Sequence, residues 1–334
     1  MAQRYVNMAS TAGGDGTTNN TSGATRAYAS SSAWEAARQA VLTEVEECIC
    51  EGTAADTTNL VIDGWTTTAA FYIDLKAVAG AGRHAGVWST SHYRIASSND
   101  FGAALLINEA YVRVTGLQVE NTSADGAYCV RYLTLTGTTA TTDFRMDGCI
   151  LRDADGAGGN AAGFEAEDGL IAIRNTVSYG HGGAGFYFII GDSVSLGVTV
   201  TNCIAANNTG LGFNCATATG TNVLQNCYSG GNTGADISAN WDTITTCRSE
   251  DGSQGTTVVA YSTSAGTYFT NITAGSEDFH IGASSSLLDI GTDYSGTFTT
   301  DIDGETRTGT WDIGADERVS AAVGILRQMM QHHH

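Results

Sequence analysis

The chain has 334 residues, of which 42% are hydrophobic, 15% are charged, 42 are glycine and none is proline. So low a charged fraction, against about 25% in an average globular protein, excludes helical bundles and coiled coils, and the glycine suits short strands joined by tight turns. Fifteen Lys plus Arg against 35 Asp plus Glu leave a net charge of −20, which excludes a nucleic-acid or anionic-membrane partner. No apolar run reaches the roughly 18 residues that would span a bilayer.

The first thirty residues, with Gly13-Gly14-Asp15-Gly16-Thr17-Thr18, read as an irregular loop. They lack a basic stretch followed by an apolar one, so the expectation is synthesis in a reducing cytosol. A helix is expected next. Ser32-Ala33-Trp34-Glu35 has capping-box spacing, and Trp34, Ala37, Val41, Leu42 and Val45 follow at helical intervals. Such a helix would close the open end of a stack of strands.

From about residue 59 to 275 the chain repeats. Val114-Thr115-Gly116-Leu117, Met146-Asp147-Gly148-Cys149, Ile173-Arg174-Asn175-Thr176, Val200-Thr201-Asn202-Cys203, Leu224-Gln225-Asn226-Cys227 and Ile244-Thr245-Thr246-Cys247 share one pattern. A second column, Phe186, Phe213 and Ile237, follows each third-to-fifth anchor by ten residues and is preceded by small turn sequences. Repeats of this length without a helix predict a parallel β-solenoid, one coil per repeat. Cys149, Cys203, Cys227 and Cys247 are expected to stack inside as small reduced hydrophobes, not as metal or redox groups. Asn175, Asn202 and Asn226 are expected to stack at a bend, with their amides paired along the axis.

These repeats resemble those of right-handed parallel β-helix proteins, the architecture of pectate lyases, polygalacturonases and phage tailspikes. The resemblance implies an all-β, single-stranded right-handed solenoid with an N-terminal capping helix. Residues 276–318, with Ser286-Leu287-Leu288-Asp289-Ile290-Gly291, Asp301-Ile302-Asp303-Gly304, Arg307 and Asp312-Ile313-Gly314-Ala315-Asp316-Glu317, are similar to a C-terminal module that follows many bacterial and phage β-helices. Leu287 and Thr308 stand where that module carries proline. The opening, with Tyr5-Val6-Asn7 and Ala33-Trp34-Glu35-Ala36-Ala37, resembles virion-associated β-helix proteins of phages. Residues 319–334 form an apolar tail ending in His332-His333-His334. It reads either as a docking segment for a partner subunit or as a frayed end carrying a purification tag.

Cleavage of a polysaccharide on this architecture needs paired carboxylates or a cation-assisted base on one outward face. The densest candidates are Asp153, Asp155, Glu165, Glu167 and Asp168, with Arg152, Arg174 and His181 nearby. At this net charge, chance clustering of carboxylates in solvated turns is the stronger reading. The polygalacturonase Asn-x-Asp motif and the pectate-lyase arginine-rich strand are missing. Asp301 and Asp303 are the weak candidates for calcium, and no other cofactor is expected. The leading expectation is therefore a non-catalytic phage virion protein, a capsid decoration or spike component. Its partners would be copies of itself, a trimer first, and other virion proteins. The alternative is a polysaccharide-binding or polysaccharide-cleaving protein, a lyase or glycosidase, on a tailspike or secreted outside a cell.

Overall fold

The computed structural model describes residues 1–99, 102–123, 126–133, 142–153, 162–167, 169–189, 197–216, 220–254, 257–258 and 268–318. Among them, three parallel sheets of nine, nine and six strands run along one axis, and a complete coil contributes a strand to each sheet. One coil shows the order: Asp143–Asp147 in the first sheet, Ile150–Arg152 in the second and Phe164–Ala166 in the third. Leu170–Arg174 then returns to the first sheet. The protein is a right-handed parallel β-helix. Among the described residues no helix is long and apolar enough to cross a membrane.

The solenoid begins earlier than residue 59. Ala2–Asn7, read from sequence as part of a loop, is a strand paired in parallel with Glu46–Glu51. Its polar character hid it, because only Val6 is fully buried in that strand. The helix is Ser31–Arg38, and its N-cap is Ser30, whose hydroxyl accepts from Ala33 N at 3.1 Å. The expected capping box at Ser32 does not form. Asp56 takes both the amide and the hydroxyl of Ser31 at 2.7 Å, and Glu35 turns inward to the Asp63 amide and the Trp65 indole. Val41, Leu42 and Val45 lie beyond the helix, where Val41 bridges to Thr66. The helix nevertheless sits over the first strands of the sheets and buries Trp34 against Trp65, ring centroids 5.7 Å apart.

From the strand Tyr111–Thr115 onward, the chain turns from the first sheet to the second in two residues. The first of each pair has a left-handed backbone: Gly116 (φ 68°), Gly148 (60°), Asn175 (45°), Asn202 (51°), Asn226 (49°) and Thr246 (52°). Gly and Asn tolerate this region best, which is why they recur there. The second of each pair points inward, and Cys149, Cys203, Cys227 and Cys247 are wholly buried in one column with Leu117 and Thr176. Their polar atoms form a ladder. The Cys227 sulfur accepts from Cys203 N at 3.4 Å and donates back to Gln225 O at 3.1 Å. Thr176 does the same with its hydroxyl, accepting from Cys149 N at 3.4 Å and donating to Arg174 O at 2.8 Å. A threonine thus fits a cysteine column because the rung needs one small donor–acceptor atom. All eight cysteines are buried and free.

Phe186, Phe213 and Ile237 share the interior column of the third sheet, and the Phe186 and Phe213 rings stack at 5.0 Å. Gly212 precedes Phe213 because a Cβ there would come within 2.5 Å of Asp236 O.

The asparagine column differs from the expected axial ladder. Asn226 reaches Asn202 at 3.2 Å, but most of the amide bonds leave the solenoid for residues 292–314. Asn175 donates to Thr300 O, Asn202 to Asp312 O and Gly314 O, and Asn226 to Thr292 O, all at 2.8–2.9 Å. The left-handed bend aims these side chains outward, where the C-terminal module passes. That module packs along the second sheet: Phe279, Ile281, Leu287, Ile302 and Ile313 cover Ile150, Val177, Ile204 and Tyr228. It is a strap along the flank of the solenoid.

Candidate functional site

The third sheet presents one outward stripe. In register, successive coils place Arg131, Glu165, Tyr187 and Asn214 side by side. At about 4.8 Å per coil the stripe spans roughly 14 Å. With Tyr128, Ala184, Ile189 and Leu211 it lines a concavity of about 500 Å³. Alternation explains the stripe: Phe164, Phe186 and Phe213 point into the core, so the next residue of each strand points out.

Glu165 lies at the base of this groove, 1% exposed, with its carboxylate 2.6 Å from Arg131 Nε. The same guanidinium holds Glu167 through Nη2 at 2.8 Å. Arg131 also covers the Tyr128 ring at 5.1 Å. Burial, with Glu165 beside it, pushes the Tyr128 hydroxyl up to about 12. Two carboxylates are therefore brought together, but one arginine is shared between them as an ion-pair partner. A glycosidase pair needs one protonated acid and one free base or nucleophile, and these two are committed to the same cation.

The other residues singled out from sequence go elsewhere. Arg152 stands on the second sheet, ion-paired to Glu120 at 2.9 Å and stacked on Trp88 at 4.0 Å. It lines a separate concavity of about 480 Å³ with Tyr179, Asn271 and Glu277. Asp153 follows on that strand's end, where its amide donates to Tyr179 O at 3.3 Å. Asp155 and Asp168 lie outside the described residues, as does the tail 319–334. Arg174 faces out from the first sheet, over Phe298 at 5.2 Å, and donates to Thr297 O at 3.0 Å.

His181 occupies the corner between the second and third sheets. Its column is His181, Asn208 and Asn232, each one residue after a left-handed Gly180, Asn207 or Gly231. His181 N donates to Asn208 Oδ1 at 3.1 Å, and Asn208 N to Asn232 Oδ1 at 3.0 Å. Burial pulls the His181 imidazole down to about 4, so it is neutral at physiological pH, and the residue joins the corner ladder through its main-chain amide. The shared Asn208–Asn232 pattern, 24 residues apart, was the available sequence signal for this column.

In the strap, Asp301 and Asp303 have different surroundings. Asp301 accepts the amides of Asp303, Glu305 and Glu317 at 2.8–3.1 Å, a loop-closing role. Asp303 instead meets His280 Nε2 at 3.0 Å, and with Asp316 these form the group of potential metal ligands among the described residues. His280 and Asp316 were not foreseen, because they are 36 residues apart in sequence and only the strap's path joins them. Arg307 is wholly buried, bound to Glu317, the carbonyls of Gly314 and Ala315, and Asn175 Oδ1. Thr308, at the position where the similar modules carry proline, uses its amide to donate to Glu317 at 3.2 Å.

No protein-family model matches this chain, and a search of curated proteins finds no match. Among solved structures, the crystal structure of pectate lyase Pel9A matches with a TM-score of 0.47 and 15% identity. The match covers 96% of this chain and 97% of that one.

Proposed function

We propose that the protein binds a neutral glycan chain along the third-sheet groove and does not cleave it there. The observation that carries this reading is the outward stripe Arg131–Glu165–Tyr187–Asn214 with Tyr128. Tyrosine faces offer apolar platforms for sugar rings, while the Asn214 amide and the Arg131 guanidinium supply directional donors. Glu165 and Glu167 around a single Arg131 leave the groove without a cationic surplus, so a polyanionic glycan is disfavoured. The non-catalytic half of the sequence expectation is kept, and glycan binding takes the place of a purely architectural role. A particle location, with homotrimers, is compatible with it, since a spike that holds glycan needs a rigid body with an accessible face.

The test is titration calorimetry against a panel of neutral and acidic oligosaccharides, with and without calcium, alongside an assay for released reducing ends. Binding of a neutral oligosaccharide that falls about tenfold or more in Tyr187→Ala, with no release, supports the proposal. Absence of binding across the panel, or release abolished by Glu165→Gln, overturns it. Light scattering on the purified chain checks the trimer.

A further inference from the structure

We propose that His280, Asp303 and Asp316 form a site for a divalent transition-metal ion of the zinc class, tying together three segments of the strap. The ligand atoms of the three residues lie within 4.8 Å of one another. His280 Nε2 and Asp303 Oδ2 are 3.0 Å apart, close to the ~3.3 Å edge of a tetrahedron with metal bonds of about 2.0–2.1 Å. His280 is also oriented as a metal ligand would be. Its Nδ1 is held by Asp278 Oδ1 at 2.5 Å, which points Nε2 at the two carboxylates. A carboxylate behind a ligating imidazole is the usual outer-shell partner.

Two further observations point to a missing ligand. Asp303 Oδ1 is buried without a hydrogen-bond partner, an arrangement that costs free energy unless something occupies it. The nearby Arg83 guanidinium donates to Ile302 O at 2.8 Å. Gly86 packs directly on the cluster, and a Cβ there would collide with both Asp303 Oδ1 and His280 Nε2. The chain thus keeps the space beside both ligand atoms free of a side chain. His280 and Asp303 retain 28% and 22% side-chain exposure, which leaves an entry path.

The donor set selects the metal. One imidazole and two carboxylates are too few for calcium, which takes six to eight oxygens, and the imidazole nitrogen suits zinc, which accepts three such ligands and a water. Ligation needs the bare Nε2 lone pair, so the ion competes with any proton held between His280 and Asp303. The ion would join the strand Asp278–Ile281, the turn at Asp303 and the closing loop at Asp316.

The terminal His332, His333 and His334 bind zinc on their own account, so the test uses the full chain with all three replaced by Ala. Calorimetry with ZnCl₂ is expected to give about one equivalent, with no saturable heat from Ca²⁺ or Mg²⁺ at the same concentration. Asp303→Asn and His280→Gln should each weaken zinc binding about tenfold or more. Zinc should raise Tm, and EDTA should reverse the rise. If the variants do not fold, Co²⁺ binding to the parent chain is followed by its visible absorption. Protection of His280 from diethyl pyrocarbonate by zinc is read in parallel by peptide mass. Absence of zinc and cobalt binding in the parent chain, binding undiminished in folded variants, or an unprotected His280 overturns the proposal.

Discussion

The repeating coils from residue 143 to 249 and the strap from 276 to 318 solve the same problem in opposite ways. In the coils, the polar atoms of the inward bend column bond to the neighbouring coil or to their own strand end. Cys, Thr and Asn suffice, and no rung of the inward bend column carries a charge. The strap has no repeat to lean on. It satisfies its backbone with buried ions: Arg307 gathers three acceptors besides Glu317 and Asn175, while Asp301, Asp312 and Asp316 each accept main-chain amides. Repetition makes polar burial cheap, because each rung is supplied by its neighbour. A single-pass segment must bring its own charges, and each becomes a point of failure.

The largest expected effect breaks the strap. Arg307→Met leaves Glu317 and nearby carboxylates buried without their cation, and should cost about 3–5 kcal/mol in denaturant unfolding. A loss under about 1 kcal/mol would mean the strap is not anchored by that ion.

Next comes the seam between the two regions. Asn202→Gly keeps the left-handed bend but loses the bonds to Asp312 O and Gly314 O, a cost of about 2 kcal/mol. Asn202→Ala adds backbone strain of about 1–2 kcal/mol more. Equal losses in urea melts would show that the bend conformation carries no weight.

A third prediction uses pH. Burial, with Asp63 and Glu35 adding repulsion, raises Glu109 to about 7. Its folded pKa exceeds its unfolded one, near 4.3, so the folded state holds the proton more tightly. That stabilisation is complete below about pH 4 and is lost as pH rises through 7. Burial also raises Asp301 and Asp312 to about 7, so the wild type should weaken across the same window. Glu109→Gln should flatten the slope by on the order of 1–3 kcal/mol, measured as Tm against pH. Parallel profiles for the two proteins would remove Glu109 from this account.

The smallest effect lies in the repeat. Cys227→Thr should cost under about 1 kcal/mol, because Thr176 already makes the same rung. Cys227→Val removes donor and acceptor and should cost about 1–2 kcal/mol more. All eight thiols should resist labelling in the folded protein and react once it is denatured.

The cysteine and phenylalanine columns could be read from sequence because a solenoid converts spacing along the chain directly into stacking. The strand Ala2–Asn7 could not, since one apolar residue gives no alternation. The helix start shifted from Ser32 to Ser30 because Asp56, distant in sequence, captures Ser31. For the groove, Glu165 and Glu167 were picked out by their charge. Arg131, which occupies both, and Tyr187, beside Glu165, were visible only once the third sheet set the register.

By itself the sequence determined the architecture: the period of apolar, bend and inward residues specifies a parallel solenoid, since each repeat can bury its apolar face only against the next. The tertiary structure decided which way the polar residues look. A left-handed bend turns Asn175, Asn202 and Asn226 toward the strap, and the strap's own path brings His280 to Asp303 and Asp316. Those outcomes depend on where a non-repeating segment lies against a repeating one, and no local propensity or periodicity encodes that contact.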